Sequence, residues 1–403
     1  MNTEPRDRRP RLAALDGMRF LAAVAVMVFH YAVAWRIDGV HPPSQLLPAG
    51  SWIAVYGCLG VEVFFMISGF VICMSSWGRR LGDFFASRVS RLYPAYWVAV
   101  LLTALVAVAL PLSGGIWGLV DPTPLGVAVN LTMVQEPLGV GSMDGVYWTL
   151  FVELRFYLLF VIPVMLGLTY RRVVFFCAAW MTVAVLSPVL GSTLLNALAV
   201  PEYAAYFVAG ILMYLVHRFG GSPLLYAMIA FTWIVNLHAV TRRVHKLGGD
   251  YPTWPGVVII TAAYGIVLAI ALGRLDRIRW RWLTTAGALT YPLYLLHQRI
   301  GYTVIRNVYL TFRPPAWLVL VATGVLMVAL AWAVHRLVER PLAGYLRRSL
   351  RSSLDLMRAA SVPLPLPRRG VHRPEPRTAD DRLDEGDQPD KAVPQRGVRA
   401  SVP

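Results

Sequence analysis

Ten times along this chain of 403 residues an apolar run is long enough to cross a lipid bilayer. The runs fall at 13–34, 52–76, 92–112, 146–169, 172–190, 201–217, 223–240, 255–273, 283–305 and 316–338. A hydrocarbon layer about 30 Å thick is spanned by about 20 helical residues. Lipid offers no partners for backbone N–H and C=O groups, so each crossing segment must satisfy its own. The expected fold is therefore all-α, a polytopic transmembrane helix bundle of about ten spans. The balance of residues agrees, with 15% charged against about 25% in soluble domains. One more apolar piece, Pro124 to Val134, is short and carries Asn130. It is expected to be re-entrant or interfacial rather than spanning.

The net charge of +16 is almost wholly arginine, since Lys246 and Lys391 are the only lysines. Nucleic-acid binding explains it poorly, because the arginines are scattered over short loops between spans. Topology explains it better. With the N-terminus inside, the inner segments carry fifteen basic residues, among them Arg6 to Arg11, Arg79, Arg80, Arg88, Arg91 and the 274–281 cluster. The outer loops carry six, Arg36, Arg242, Arg243, Lys246, Arg306 and Arg313. That is the bias of a protein with both termini in the cytoplasm, and the expected location is the plasma membrane. The 241–253 loop, TRRVHKLGGDYPT, is the dissenter: basic although external. It either violates the rule or faces an anionic acceptor.

Residues 1–12 read as a basic cytoplasmic N-terminus, 13–350 as the membrane domain and 351–403 as a cytoplasmic tail. The tail is rich in Pro, Arg and Asp and holds too little apolar surface to order itself, so it is expected to be disordered. A cleavable signal peptide ending at Ala32-Val33-Ala34 is a weak alternative for the first run, because Asp16 and Arg19 break its start. Cys58, Cys73 and Cys177 lie in apolar segments without metal spacing. They are expected to be buried thiols, with neither disulfide nor metal site.

Ionisable residues inside the runs point to function, since a charge at that depth costs about 3 kcal/mol or more. In LAALDGMRFLAAVAVMVFHYAVAW, Arg19 and His30 are eleven positions apart. Eleven steps of about 100° make three turns and about 20°, so both occupy one helix face, about 16 Å apart along the axis. Both are expected to face one polar cavity inside the bundle. Counted from residue 13, Arg19 lies about 9 Å and His30 about 25 Å into the membrane. The bland alternatives are a snorkelling arginine and a histidine satisfied near the far interface.

Other runs carry similar burdens. GVEVFFMISGF holds Glu62, for which Arg19 or His30 are the natural partners, and Ser68, which is as readily a serine bonded to its own helix. FFASRVSRLYPAYW sets Arg88 and Arg91 on neighbouring positions of one side, suited to phosphate or to lipid headgroups. WTLFVELRFY holds Glu153, expected to pair with a basic residue of another helix, since Arg155 points elsewhere. YPLYLLH ends on His297, and a lone histidine in a span is more often structural than catalytic.

Together with VERP at Glu339 and Arg340, these stretches resemble the acyltransferase-3 family of integral membrane O-acyltransferases. The resemblance runs over about residues 12 to 345, with six motifs in the family's order. It implies about ten spans and an acyl-coenzyme A donor substrate; no metal is expected, since the cysteines lack metal spacing. It also implies an acceptor hydroxyl on a sugar, polysaccharide or secondary metabolite, with acetyl the expected acyl group. By the same resemblance Arg19, His30, Arg88, Arg91 and Glu153 inherit functional status.

Chemistry then assigns expected roles. Acyl transfer to a hydroxyl needs a base for its proton and positive groups for the tetrahedral oxyanion. His30 is the expected base, oriented by Glu153 or Glu62, with Arg19 and Glu153 catalytic beside it. Arg88 and Arg91 are expected to hold the coenzyme A phosphates, with Ser68 beside the donor. An acyl-histidine intermediate stays open. A sugar or anion transporter or flippase is the rival reading, but paired broken helices at a repeat interface, which it would require, are not visible. A receptor or scaffold gives no reason for an arginine and a histidine three turns apart.

Overall fold

A computed structural model describes residues 12–35, 37, 48–112, 120–247 and 251–360, and among these there are helices and turns but no strand. The helices are α1 (Ala13–Ala32), α2 (Pro48–Ala54), α3 (Gly60–Ser76), α4 (Leu81–Ala109), α5 (Pro124–Asn130), α6 (Trp148–Met165), α7 (Tyr170–Leu186), α8 (Thr193–Ala199), α9 (Ala204–Phe219), α10 (Pro223–Lys246), α11 (Trp254–Ala271), α12 (Arg281–Leu296), α13 (Arg299–Phe312), α14 (Ala316–Val334) and α15 (Arg340–Ala360). A 3₁₀ turn, Val55–Leu59, leads into α3, and a π turn, His335–Glu339, joins α14 to α15. The all-α membrane architecture read from the apolar runs is therefore present, and eight of its helices are long and apolar enough to cross a bilayer.

The other two predicted spans differ in kind. The run at 172–190 is α7, seventeen residues long. The run at 283–305 is broken into α12 and α13 after Leu296. The cause lies far away in sequence. The Arg299 amide, instead of continuing the helical ladder, donates to Asp144 Oδ2 at 2.9 Å, and Tyr31 Oη–H donates to the His297 carbonyl at 2.8 Å. Asp144 thus takes over a helix-terminal amide that would otherwise lack a bond, and Tyr31 adds a second donor to a carbonyl that also accepts from Gly301 N at 3.2 Å.

Other boundaries move too. α4 begins at Leu81, eleven residues before the predicted 92, so Arg88 and Arg91 sit within a helix that continues into the apolar run. The 124–134 segment forms only the seven-residue α5, about 10 Å long and too short to cross. Asn130 explains its fold: the side chain accepts from Met143 N at 2.9 Å and donates to Gly126 and Gly141 carbonyls at 2.9 and 3.0 Å. Helix α15 carries on to Ala360, past the predicted start of the tail at 351. The rest of the tail, 361–403, and the N-terminal residues 1–11 lie outside the described residues, as does the 248–250 part of the basic loop. The chain divides into a unit of residues 1–355 and a second of residues 356–403.

Helix α9 is the centre of the bundle, buried without interruption from Ala204 to Val216. It lies closest to α3, where Gly210 faces the Met66 carbonyl and Gly69 faces the Phe207 carbonyl. A β-carbon at either glycine would collide with that backbone, so small residues are what let the two helices touch. Helix α1 is wedged between α3 and α12, with Gly17 against Leu283 and Gly287 against Asp16 on the α12 side. The three cysteines are buried free thiols, as expected.

Candidate active site

Four helices, α1, α3, α6 and α12, surround a small cavity of about 60 Å³. Arg19 enters it from α1, Phe64, Phe65 and Ser68 from α3, Thr149 and Glu153 from α6, and Tyr291 and Tyr294 from α12. Glu153 is held from two sides. Ser68 Oγ–H donates to its Oε1 at 2.7 Å and Tyr157 Oη–H to the same oxygen at 2.5 Å. Tyr157 is four residues on, the spacing that places two side chains on one helix face. Arg155, as the spacing required, turns elsewhere and donates to the Ala197 carbonyl at 3.2 Å.

Arginines crowd this end. Arg88 is 7% exposed and donates through Nη2 to Ser75 Oγ and Ser87 Oγ, both at 3.1 Å. Arg91, one turn on, lies within electrostatic reach of both Arg19 and Arg88. Arg79 acts on Arg88 as well, while the neighbouring carboxylates are Glu153 and Asp16. Positive charge is in excess in a setting of low dielectric, where it attracts an anion far more strongly than it would in water.

The other end is built around histidine. His30 Nδ1 lies 3.0 Å from His297 Nε2, linking α1 to the break between α12 and α13. His297 is fully buried, and its Nδ1 faces the Tyr294 and Leu293 carbonyls at 2.8 and 3.2 Å. Tyr302 stacks on Trp35 at 4.3 Å and presents an edge to His30 at 6.4 Å. Beneath lies an anchor. Asp144 Oδ1 accepts from Val146 N at 3.1 Å and its Oδ2 from Arg299 N, while Arg299 Nη1 donates to the Val120 and Met143 carbonyls at 2.7 and 2.9 Å. Asp144 precedes the apolar part of α6 in the chain, and burial pushes its carboxyl up to about 6 in spite of the two amides it accepts.

The sequence-predicted residues thus fall into two groups. Arg19, Ser68, Glu153, Arg88 and Arg91 gather at one end and His30 stands at the other. The cavity is lined by Arg19 but not by His30. Between them stands Tyr294, whose hydroxyl is 3.0 Å from Thr149 Oγ1 and whose ring lies 5.5 Å from that of Phe64 and 5.7 Å from that of His297. These aromatic contacts fill the space that a continuous cavity would need. Glu62 finds neither Arg19 nor His30 but Arg243, whose Nε is 3.5 Å from Oε1. The group at His30 Nδ1 is His297, not Glu153 or Glu62.

Tyr157 was visible in the sequence as the i+4 neighbour of Glu153, and Tyr294 as the i−3 neighbour of His297. Nothing in the sequence marks Asp144, and Arg243 stands out there only as part of the basic 241–253 loop, with no sign that its partner is Glu62. A larger apolar groove of about 490 Å³, lined by residues such as Met181, Leu212 and Phe231, holds no ionisable group and offers no comparable chemistry.

A family model described as an acyltransferase domain matches residues 12–336, which covers every residue of this site. The chain is 30% identical over 191 residues to acyltransferase MdmB of Streptomyces mycarofaciens, over 44% of this chain and 45% of that protein. It is 27% identical over 374 residues to nodulation protein 10 of Rhizobium leguminosarum bv. viciae, over 83% of this chain and 94% of that one. It is 27% identical over 115 residues to peptidoglycan O-acetyltransferase OatA of Listeria monocytogenes, over 27% of this chain and 16% of that one. The match thus spans less than half the length of the first and third of these relatives and nearly all of the second. No solved structure matches.

Proposed function

The chain belongs to the acyltransferase-3 family of membrane acyltransferases, and from that premise we propose that it moves an acyl group, acetyl foremost, from acyl-coenzyme A to a hydroxyl of a carbohydrate or metabolite. The observation that carries this reading is the division of the polar interior. One end holds arginine in excess and the other holds paired imidazoles, about 16 Å along one helix.

Coenzyme A brings phosphates and a long flexible arm, so the arginine end is its natural dock. Arg91 and Arg88 contact the phosphates, Arg19 contacts the arm, and Glu153, steadied by Ser68 and Tyr157, keeps Arg19 in place. The basic bias of the loops supports a cytoplasmic position for this end, the side on which the acyl-coenzyme A donor is expected. The thioester must then pass Tyr294 to reach His30. There the His30 imidazole takes the proton of the acceptor hydroxyl, and the oxygen attacks the thioester carbonyl. The tetrahedral oxyanion collapses, the C–S bond breaks, and the thiolate leaves with the proton from His30 as coenzyme A thiol. The acceptor enters from the far side, past Glu62 and Arg243. OatA is named for O-acetylation of peptidoglycan, which supports a glycan acceptor for this chain as well.

The test is transfer of labelled acetyl from acetyl-coenzyme A by membranes containing the protein, with the product identified by mass spectrometry. Acetylated glycan or metabolite that vanishes with His30→Ala supports the proposal. Wild-type turnover by His30→Ala rejects the base.

A further inference from the structure

His297 lies outside the set of residues the reaction above assigns, yet its contacts leave the His30 ring little freedom. Its Nδ1 faces only carbonyl oxygens, those of Tyr294 and Leu293, so that nitrogen carries the hydrogen. In a neutral imidazole the other nitrogen, Nε2, is then a lone pair and can only accept. The 3.0 Å contact to His30 Nδ1 therefore makes His30 the donor. His30 Nδ1 is occupied by its hydrogen, and its Nε2 is left with the free lone pair.

We propose that His297 is a positioning residue, which fixes His30 as the Nδ1–H tautomer and so keeps its Nε2 free to take the acceptor's proton. The inference rests on the reading of His30 as the base. The mounting is rigid for a purpose. Tyr31, the neighbour of His30 on α1, donates to the His297 carbonyl, so one helix grips both the backbone and the ring of the second histidine. Gly301 lies directly under the Tyr31 ring, where a β-carbon would collide with the phenol. Asp144 holds the amide two residues beyond His297. The break in the ninth apolar run is thereby placed where it presents a lone pair to His30. In lipid-buried surroundings no water competes for that bond, and His297 Nε2 holds the hydrogen on the His30 ring together with the Val26 carbonyl one turn back on α1.

Two amide variants separate positioning from mere structure. The side chain of His297→Asn ends near the place of Nδ1, so it retains bonds to the carbonyls and leaves no acceptor in the place of Nε2. The oxygen of His297→Gln reaches the place of Nε2 and accepts from His30. Measured as acetyl transfer from acetyl-coenzyme A in nanodiscs, with the host's glycan fraction as acceptor, Asn is expected to lower kcat by about 100-fold or more, and Gln to stay within about 10-fold of wild type. KM for acetyl-coenzyme A is expected to hold in both. A role confined to holding the helix break gives the opposite order, Asn above Gln, and that result overturns the proposal. Nitrogen NMR of the ¹⁵N-histidine-labelled protein, assigned with His30→Gln, reads the tautomer without any acceptor. Nδ1–H at His30 supports the proposal, and Nε2–H overturns it. If His30→Ala retains turnover, the base reading itself fails, whatever the NMR shows.

Discussion

The two ends of the polar interior differ in the groups they gather and in the space beside them. At the histidine end the named contacts are fixed hydrogen bonds, imidazole to imidazole, imidazole to carbonyl, phenol to carbonyl and carboxylate to two amides, although the Tyr302 hydroxyl and Arg299 Nε are buried without a partner among the described residues. At the arginine end the charges outnumber their partners, and a cavity remains beside them. A group that must abstract a proton needs a fixed orientation, which hydrogen bonds from two helices supply. A group that must receive a large anion needs unmet charge and space. On the proposed reaction the contrast separates the site of chemistry from the site of binding, and each variant below tests one side of it.

The largest effect is expected from His30→Ala. Loss of a general base together with its alignment is expected to lower kcat by at least about 10³-fold. Donor affinity, measured by equilibrium binding of acetyl-coenzyme A, is expected to stay within about twofold. If donor affinity falls in step with turnover, the two ends are not separate and the contrast fails.

Asp144 comes next. Its carboxyl, raised by burial to about 6 from an ordinary 3.8, is more easily protonated in the folded chain than in the unfolded one. Its contribution to stability is then present in full below pH 3.8 and is lost as pH rises to about 6, an effect of at most about 3 kcal/mol. Thermal melts of the wild type between pH 4 and 6.5 should carry this downward slope, and Asp144→Asn should remove it. A slope that persists unchanged in Asp144→Asn assigns it to another group.

How far the sequence reached follows the same division. The arginine end was legible because Arg19, Ser68 and Glu153 stand as polar exceptions in apolar runs and Arg88 and Arg91 form a spaced pair just before one, signals visible from the sequence alone. The helix class was legible for the same reason, from run length alone. The start of α4 was not, because Arg79 to Arg91 lower the hydropathy of a stretch that is nonetheless helical. The break at His297 was hidden in a continuous apolar run, since its cause is a carboxylate 155 positions away. The partners of Glu62 and His30 were misjudged as Arg19, His30 or a carboxylate, because pairing across a bundle depends on helix neighbours that no periodicity reveals. Arg243 and His297 sit on α10 and at the end of α12, and only the packing of those helices brings them near.

At the arginine end the double variant Arg88→Ala with Arg91→Ala removes two phosphate donors. The expected loss in acetyl-coenzyme A affinity is about 30- to 100-fold, or about 2–3 kcal/mol, with kcat at saturating donor within about fivefold of wild type. Dephospho-coenzyme A esters, which lack one phosphate, should lose less between wild type and variant. An unchanged donor KM would remove the phosphate role and leave these arginines as topology-setting charges.

The smallest effect sharpens the contrast most. Ser68→Ala deletes one of two hydrogen bonds to Glu153 Oε1, and Tyr157 keeps the other. One neutral donor lost from a half-buried carboxylate costs about 1–2 kcal/mol, so donor KM is expected to rise by about 5- to 30-fold. Tyr157→Phe removes the other bond and is expected to act alike, and the pair together should exceed the product of the singles, because Glu153 Oε1 is then left without either donor. If instead either variant lowers kcat and spares donor KM, Glu153 acts on the chemical step rather than on the donor, and the boundary between the two ends must move past Tyr294 to include it.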